Sequence, residues 1–114
     1  MAAAEMLYAD STCALATTFL TLKGATSFLG RKKTFLLADL DTFHYVPRES
    51  YPGGVLPSFG RDDENVWFTK DSTRWRRKGA IAITLTNGLR YGFTPAHPTR
   101  VRDLLVKCGV TELR

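Results

Sequence analysis

Asp39 and Asp41 stand one residue apart behind an apolar run, Thr34-Phe35-Leu36-Leu37. Two carboxylates on one side of an extended segment could supply a nucleophile for phosphoryl transfer. That chemistry also needs a lysine and further paired acids, carried by a long α/β scaffold. This chain has 114 residues and no strand–helix alternation before its last third. Asp39 therefore reads as a turn residue whose side chain accepts local N–H bonds. His44 and His97 are the only histidines, and their spacing supports no metal site. Cys13 and Cys108 also lie far apart. Cys108 falls on an apolar helix stripe, where a thiol packs as a small hydrophobe. No disulfide framework or zinc pattern emerges, and a reducing compartment is expected. Ser11, Ser27, Ser50, Ser58 and Ser72 have no nucleophile context. The expectation is a protein that is not an enzyme and that uses no cofactor and no metal.

The basic residues offer a different chemistry. The net charge is +5 and the isoelectric point about 9.5. Lys23 precedes one cluster, Arg31-Lys32-Lys33. A second, Arg74-Trp75-Arg76-Arg77-Lys78, mixes cations with an aromatic ring, while Asp62, Asp63 and Glu64 form an acidic counterweight. The first cluster could hold phosphate groups by charge-assisted hydrogen bonds. The competing reading is a solvated turn whose charges block edge-to-edge pairing. The second could lie on an anionic membrane surface, or hold a nucleic acid by phosphate contacts and base stacking. Its competing reading is a basic loop with Trp75 packed inward. Whether the two clusters share a side decides between these.

The clearest stretch for secondary structure runs from Gly79 to Gly109. Ala80 to Leu85 is an apolar, β-favouring run. Asn87-Gly88 signals a two-residue type I′ hairpin. Leu89, Tyr91 and Phe93 then alternate with Arg90, Gly92 and Thr94 as a half-buried strand. Pro95 and Pro98 break that strand. Val101, Leu104, Leu105 and Cys108 follow at helical spacing, with Gly109 as a C′ stop. Upstream, strands are expected at Cys13–Leu22, 25–29, 34–37, Asp41–Val46 and 64–69. In the fourth, Phe43 and Tyr45 oppose Thr42, His44 and Val46.

Between the fourth and fifth strands lies a long loop, residues 47–63, holding three of the five prolines and three of the nine glycines. At 17 residues it exceeds the usual connection, so it either works or moves. Tyr51, Val55, Leu56 and Phe59 within it are candidates for contact with a protein partner, or for folding over one end of the sheet. No run approaches the ~18 apolar residues of a membrane span.

Seven short strands and one C-terminal helix imply a mainly β fold: an antiparallel barrel or sandwich capped by the helix. In this order the chain resembles a divergent pleckstrin-homology-like (PH-like) domain, over roughly residues 13–110. The resemblance rests on the basic turn Gly30 to Lys33, the strand leading into Ala38-Asp39-Leu40, and the final hairpin with Tyr91-Gly92-Phe93 and a helix bearing Leu104-Leu105. It implies a binding module. Residues 1–12 are expected as a flexible lead-in and 13–114 as one domain; Met1 and the close after the helix suggest a whole protein. The first functional expectation is a scaffold for protein–protein or self-association, cytoplasmic and at times peripheral to a membrane. The second is phosphoinositide or anionic-headgroup binding through Lys23, Arg31, Lys32, Lys33 and Arg74 to Lys78. The third is a small basic nucleic-acid-binding domain.

Overall fold

A computed structural model describes residues 4–23, 33–57, 60–61, 66–69 and 74–113. Four strands form an antiparallel meander in the order β1-β2-β3-β4: β1 Met6–Ala9, β2 Cys13–Ala16, β3 Phe19–Leu22 and β4 Lys33–Leu36. A six-stranded sheet follows the order β10-β5-β8-β9-β7-β6. It comprises β5 Leu40–Pro47, the two-residue strands β6 Gly60–Arg61 and β7 Trp67–Phe68, β8 Gly79–Leu85, β9 Arg90–Phe93 and β10 Thr111–Leu113. The single α-helix, α1, spans Pro98–Lys107, between β9 and β10.

The mainly β class with one C-terminal helix is as expected. The barrel is not: neither sheet closes on itself, and there are more than seven strands among the described residues. Nor is the second sheet wholly antiparallel, because β10 runs parallel to β5 and β7 parallel to β9. Three details account for most of the difference. The expected lead-in is tied down at Met6–Ala9, which pair with β2 and bury Tyr8. The stretch Cys13–Leu22 is a hairpin of two strands. Its turn, Thr17-Thr18, carries no glycine, proline or asparagine to announce it. Doubling back brings Leu15 beside Leu20 and Leu22 in the core, whereas a single strand would put them on opposite faces. A last strand, β10, follows the helix. The expected strand over 25–29 lies outside the described residues.

The final hairpin also differs in its turn. The Gly88 N–H donates to the Leu85 carbonyl at 2.9 Å, and the Leu85 N–H donates to the Leu89 carbonyl at 2.8 Å. Three residues therefore connect the strands, with Gly88 at φ +90°. That is the pattern of a turn completed by a left-handed glycine, not a two-residue type I′ loop. The helix stop matches expectation. The Val110 N–H reaches the Leu105 carbonyl and the Gly109 N–H that of Val106, both at 3.0 Å, closing a Schellman motif.

One continuous core lies between the four-stranded sheet, the inner face of the six-stranded sheet, and α1. It joins Leu15, Leu20 and Leu22 to Phe43, Ile81, Ile83 and Phe93, and to Val101 and Leu105 of the helix. Each such side chain contributes about 1.5–3 kcal/mol on burial. A smaller cluster sits on the opposite face of the six-stranded sheet. It consists of Val66, Phe68, Ala80 and Ala82, with Tyr51 of the long loop packed against it.

Candidate functional site

The period of two along β5 and β8 assigns the two faces. Phe43 and Ile83 point into the main core, so His44, Val46 and Ala82 point outward. On β9, Tyr91 and Phe93 point inward, and Arg90 and Gly92 outward. The outer face is crossed by the long loop. Two consecutive 3-10 turns, Arg48–Ser50 and Pro52–Gly54, carry the chain over the sheet. Gly53 and Gly54 take φ of +65° and +68°, which a side chain would oppose.

Loop and sheet together enclose an open groove of about 770 Å³. Its loop wall is Tyr51, Pro52, Val55, Leu56 and Pro57; its floor includes His44, Ala82 and Phe68, with Leu113 at the β10 side and Arg90 at the β9 side. Leu56 and Phe68 are buried, whereas Val55 is 70% exposed and Leu113 47%. Solvent-facing apolar side chains thus rim an apolar floor. Phe68 reaches its place because β7 pairs with β9 at Gly92. A Cβ on residue 92 would sit 2.6–2.7 Å from three atoms of the Phe68 ring. Only glycine leaves room for that ring to lie on the sheet.

The groove wall is pinned by Arg74, which is only 6% exposed. Its Nε donates to Thr94 Oγ1 and one terminal nitrogen to the Pro57 carbonyl, each at 3.1 Å. The other donates to the carbonyl and, at 3.1 Å, to the hydroxyl of Thr69. The guanidinium lies 5.5 Å from the Phe68 ring centre. One side chain therefore joins the loop, the end of β7, the end of β9 and the groove floor. Arg74, expected among the anion-binding residues, is thus buried with its N–H donors directed at groups of this chain.

The other basic candidates divide. Lys23 is exposed and its Nζ donates to the Asp10 carbonyl at 2.8 Å. Arg77 is half-buried and donates to Ser11 Oγ at 3.4 Å. Lys23 and Arg77 thus both donate to one turn, Asp10 to Thr12. Lys33 begins β4 at the same end of the four-stranded sheet, opposite Leu22. Its Nζ donates to the Tyr91 hydroxyl at 3.1 Å and lies 5.1 Å from that ring's centre. Arg76 and Lys78 are exposed. Trp75 stands in the 3-10 turn Arg74–Arg76. Arg31, Lys32 and Phe59 lie outside the described residues.

The same turn holds a polar knot that sequence reading missed. Asp10 Oδ1 accepts the Thr12 N–H and hydroxyl, both at 2.6 Å, and the Cys13 N–H at 3.1 Å. Oδ2 accepts the Ala96 N–H at 2.8 Å and the Tyr8 hydroxyl, which itself accepts the His97 N–H at 3.1 Å. Burial works to raise the Asp10 carboxyl. The hydrogen bonds from Thr12, Tyr8 and Ala96 outweigh it and hold the group down to about 2. Burial, and then the bond to Asp10, push the Tyr8 phenol upward, and burial pushes the Cys13 thiol up to about 12. Cys13 is therefore an unreactive thiol, and Asp10 clamps the start of the chain to the entry of α1.

Among the described residues, no group of three His, Cys, Asp or Glu side chains is placed to hold a metal ion. No described helix is long and apolar enough to cross a membrane. The chain matches no family model, no curated protein and no solved structure.

Of the four residues singled out for partner contact, Tyr51, Val55 and Leu56 come together as one wall of the groove. The residues the sequence did not single out are the floor and far rim: His44, Phe68, Ala82, Arg90 and Leu113. The alternation of His44 and Val46 with Phe43 and Tyr45 put the first of these on the outer face. Nothing local placed β7 beside β9 or β10 beside β5.

Proposed function

We propose that this chain is a non-catalytic binding module that holds a segment of another protein in the groove under the 47–57 loop. The observation that carries the reading is the groove itself. The proline- and glycine-rich loop that carries Tyr51, Val55 and Leu56 is the wall of a concave, largely apolar site. Its volume falls within the roughly 300–1,000 Å³ of ligand sites, and solvent-facing apolar residues rim it. The antiparallel β1–β4 meander and the helix after the β8–β9 hairpin support the PH-like reading as part of this proposal. The parallel β10–β5 and β7–β9 pairs depart from it.

Selection from a random-peptide display library tests the reading. Peptides enriched on the wild-type chain should bind the Val55→Gln/Leu113→Gln double variant about 10-fold more weakly, since two apolar contacts are lost. Equal binding to both proteins, or no enrichment, would overturn it.

A second reading has its own support. Lys23 and Arg77 both donate to the Asp10–Thr12 turn, and Lys33 begins β4 at the same end of the four-stranded sheet. An anionic headgroup or surface would dock there. Co-sedimentation with phosphatidylcholine vesicles, with and without anionic lipid, decides it. Retention on the anionic vesicles that falls with added salt is expected under this reading. No retention at low salt removes it.

A further inference from the structure

We infer that the segment held in the groove is a strand that adds to the open edge of β10 and seats an apolar side chain beside Leu113; this rests on the groove reading above. Two observations carry it. The first is the edge. β10 ends the six-stranded sheet, and among the described residues its backbone pairs with β5 alone. Thr111 and Leu113 are exposed. Such an edge presents N–H and C=O groups with which an extended segment can pair. The other three sheet edges carry features that discourage pairing. β1 has a register shift between Met6 and Tyr8, β4 begins with Lys33, and β6 has two residues. β10 has no proline, lysine or register shift. Its one charged side chain, Glu112, accepts hydrogen bonds from Arg102 of α1.

The second observation is register. Leu113, His44, Ala82, Gly92 and Phe68 are successive partners across β10, β5, β8, β9 and β7. The groove floor is therefore one row of the sheet. The Phe68 ring, against Gly92, closes one end of the row, and exposed Leu113 stands at the other. A strand laid against β10 extends the row by one place, ~4.8 Å beyond Leu113. Its residue there points to the same face as Leu113, at the open end of the groove. The residue two positions away meets the neighbouring row, Thr111, Thr42 and Thr84. A helical occupant would leave the β10 edge unpaired, and a proline-rich one lacks the N–H groups to pair with it.

The peptides enriched by display selection provide the test, with binding to the wild-type protein read by fluorescence anisotropy. The expected consensus has Leu, Ile, Val or an aromatic residue in a β-favouring stretch free of proline. Each backbone amide of that stretch is N-methylated in turn. Along an added strand, amides that face β10 alternate with amides that face away. Methylation should weaken binding about 10-fold at the first kind and change it little at the second. The protein is the same throughout, so a folding defect cannot imitate this pattern. A proline-rich consensus, equal effects at adjacent amides, or no effect at any amide would overturn this inference. The groove reading would survive those results if Val55→Gln/Leu113→Gln still weakened binding. Binding indifferent to Val55→Gln/Leu113→Gln, or no enrichment, would overturn both.

Discussion

The two faces of the six-stranded sheet are made by the same strands, read at alternate positions, and they have opposite fates. On the inner face Phe43, Ile81, Ile83 and Phe93 are wholly buried under a second sheet and a helix. On the outer face the same strands present His44, Ala82, Gly92 and Arg90, whose cover among the described residues is the 47–57 loop and the Phe68 ring over Gly92. Large β-branched and aromatic residues demand a complete cover; small and half-polar ones tolerate a partial one. The inner face therefore spends its strands on stability. The outer face keeps part of its surface available to something else.

The sharpest way to break this contrast is to truncate one inner residue. Phe43→Ala should cost about 3–5 kcal/mol, because a fully enclosed ring leaves a cavity that rigid neighbours cannot fill. Urea denaturation would read it as a large drop in midpoint. A loss below ~1 kcal/mol would mean that the inner face is not the close-packed side.

On the outer face the largest expected effect is at Gly92. A methyl there must move the Phe68 ring, at a cost of about 1–3 kcal/mol in Gly92→Ala. Because Phe68 is the groove floor, the same variant should also weaken the selected peptides. Normal stability with normal binding would show that the ring and the glycine are not in contact.

Asp10 sharpens the comparison from outside the sheet. It ties the inner cover, β1 and β2, to the entry of α1. Its carboxyl titrates near 3.8 when unconstrained and is held down to about 2 in the fold. Its stabilisation is thus in place above 3.8 and is lost as pH falls toward about 2. Asp10→Asn should lose about 1–2 kcal/mol at neutral pH, since an amide nitrogen cannot accept the Tyr8 and Ala96 donors. It should also fall less steeply than the wild type as the pH drops through that window. Parallel profiles from denaturant melts at several pH values would show that Asp10 is not held ionised. The smallest expected effect is Val55→Gln, which should change stability by no more than about 0.5 kcal/mol, because the residue faces solvent.

Much of the inner face was legible in the sequence. Phe43 and Tyr45 alternate with His44 and Val46, and the helix stripe Val101, Leu104, Leu105 with Gly109 after it reads correctly. Local periodicity is enough where one element meets one core. The outer site was legible only on its loop side, through Tyr51, Val55 and Leu56. Its floor depends on parallel pairings between strands far apart in the chain, which leave no local signal. Two-residue β7 is too short for a period. Arg74 shows the same limit. Within Arg-Trp-Arg-Arg-Lys it looks like its exposed neighbour Arg76, and only the fold brings Thr69, Thr94 and Pro57 around it. The Thr17-Thr18 turn was missed because threonine favours strands, and the closure was set by pairing on both sides.

The account's central claim is that the outer face under the loop is where this protein binds. Amide chemical-shift mapping with a peptide enriched by display on the wild-type chain tests it most directly. The account predicts shifts concentrated at His44, Val55, Ala82, Arg90 and Leu113, with Lys23, Lys33 and Arg77 unmoved. Shifts confined to Lys23, Lys33 and Arg77 would contradict it and place binding at the basic end of the molecule.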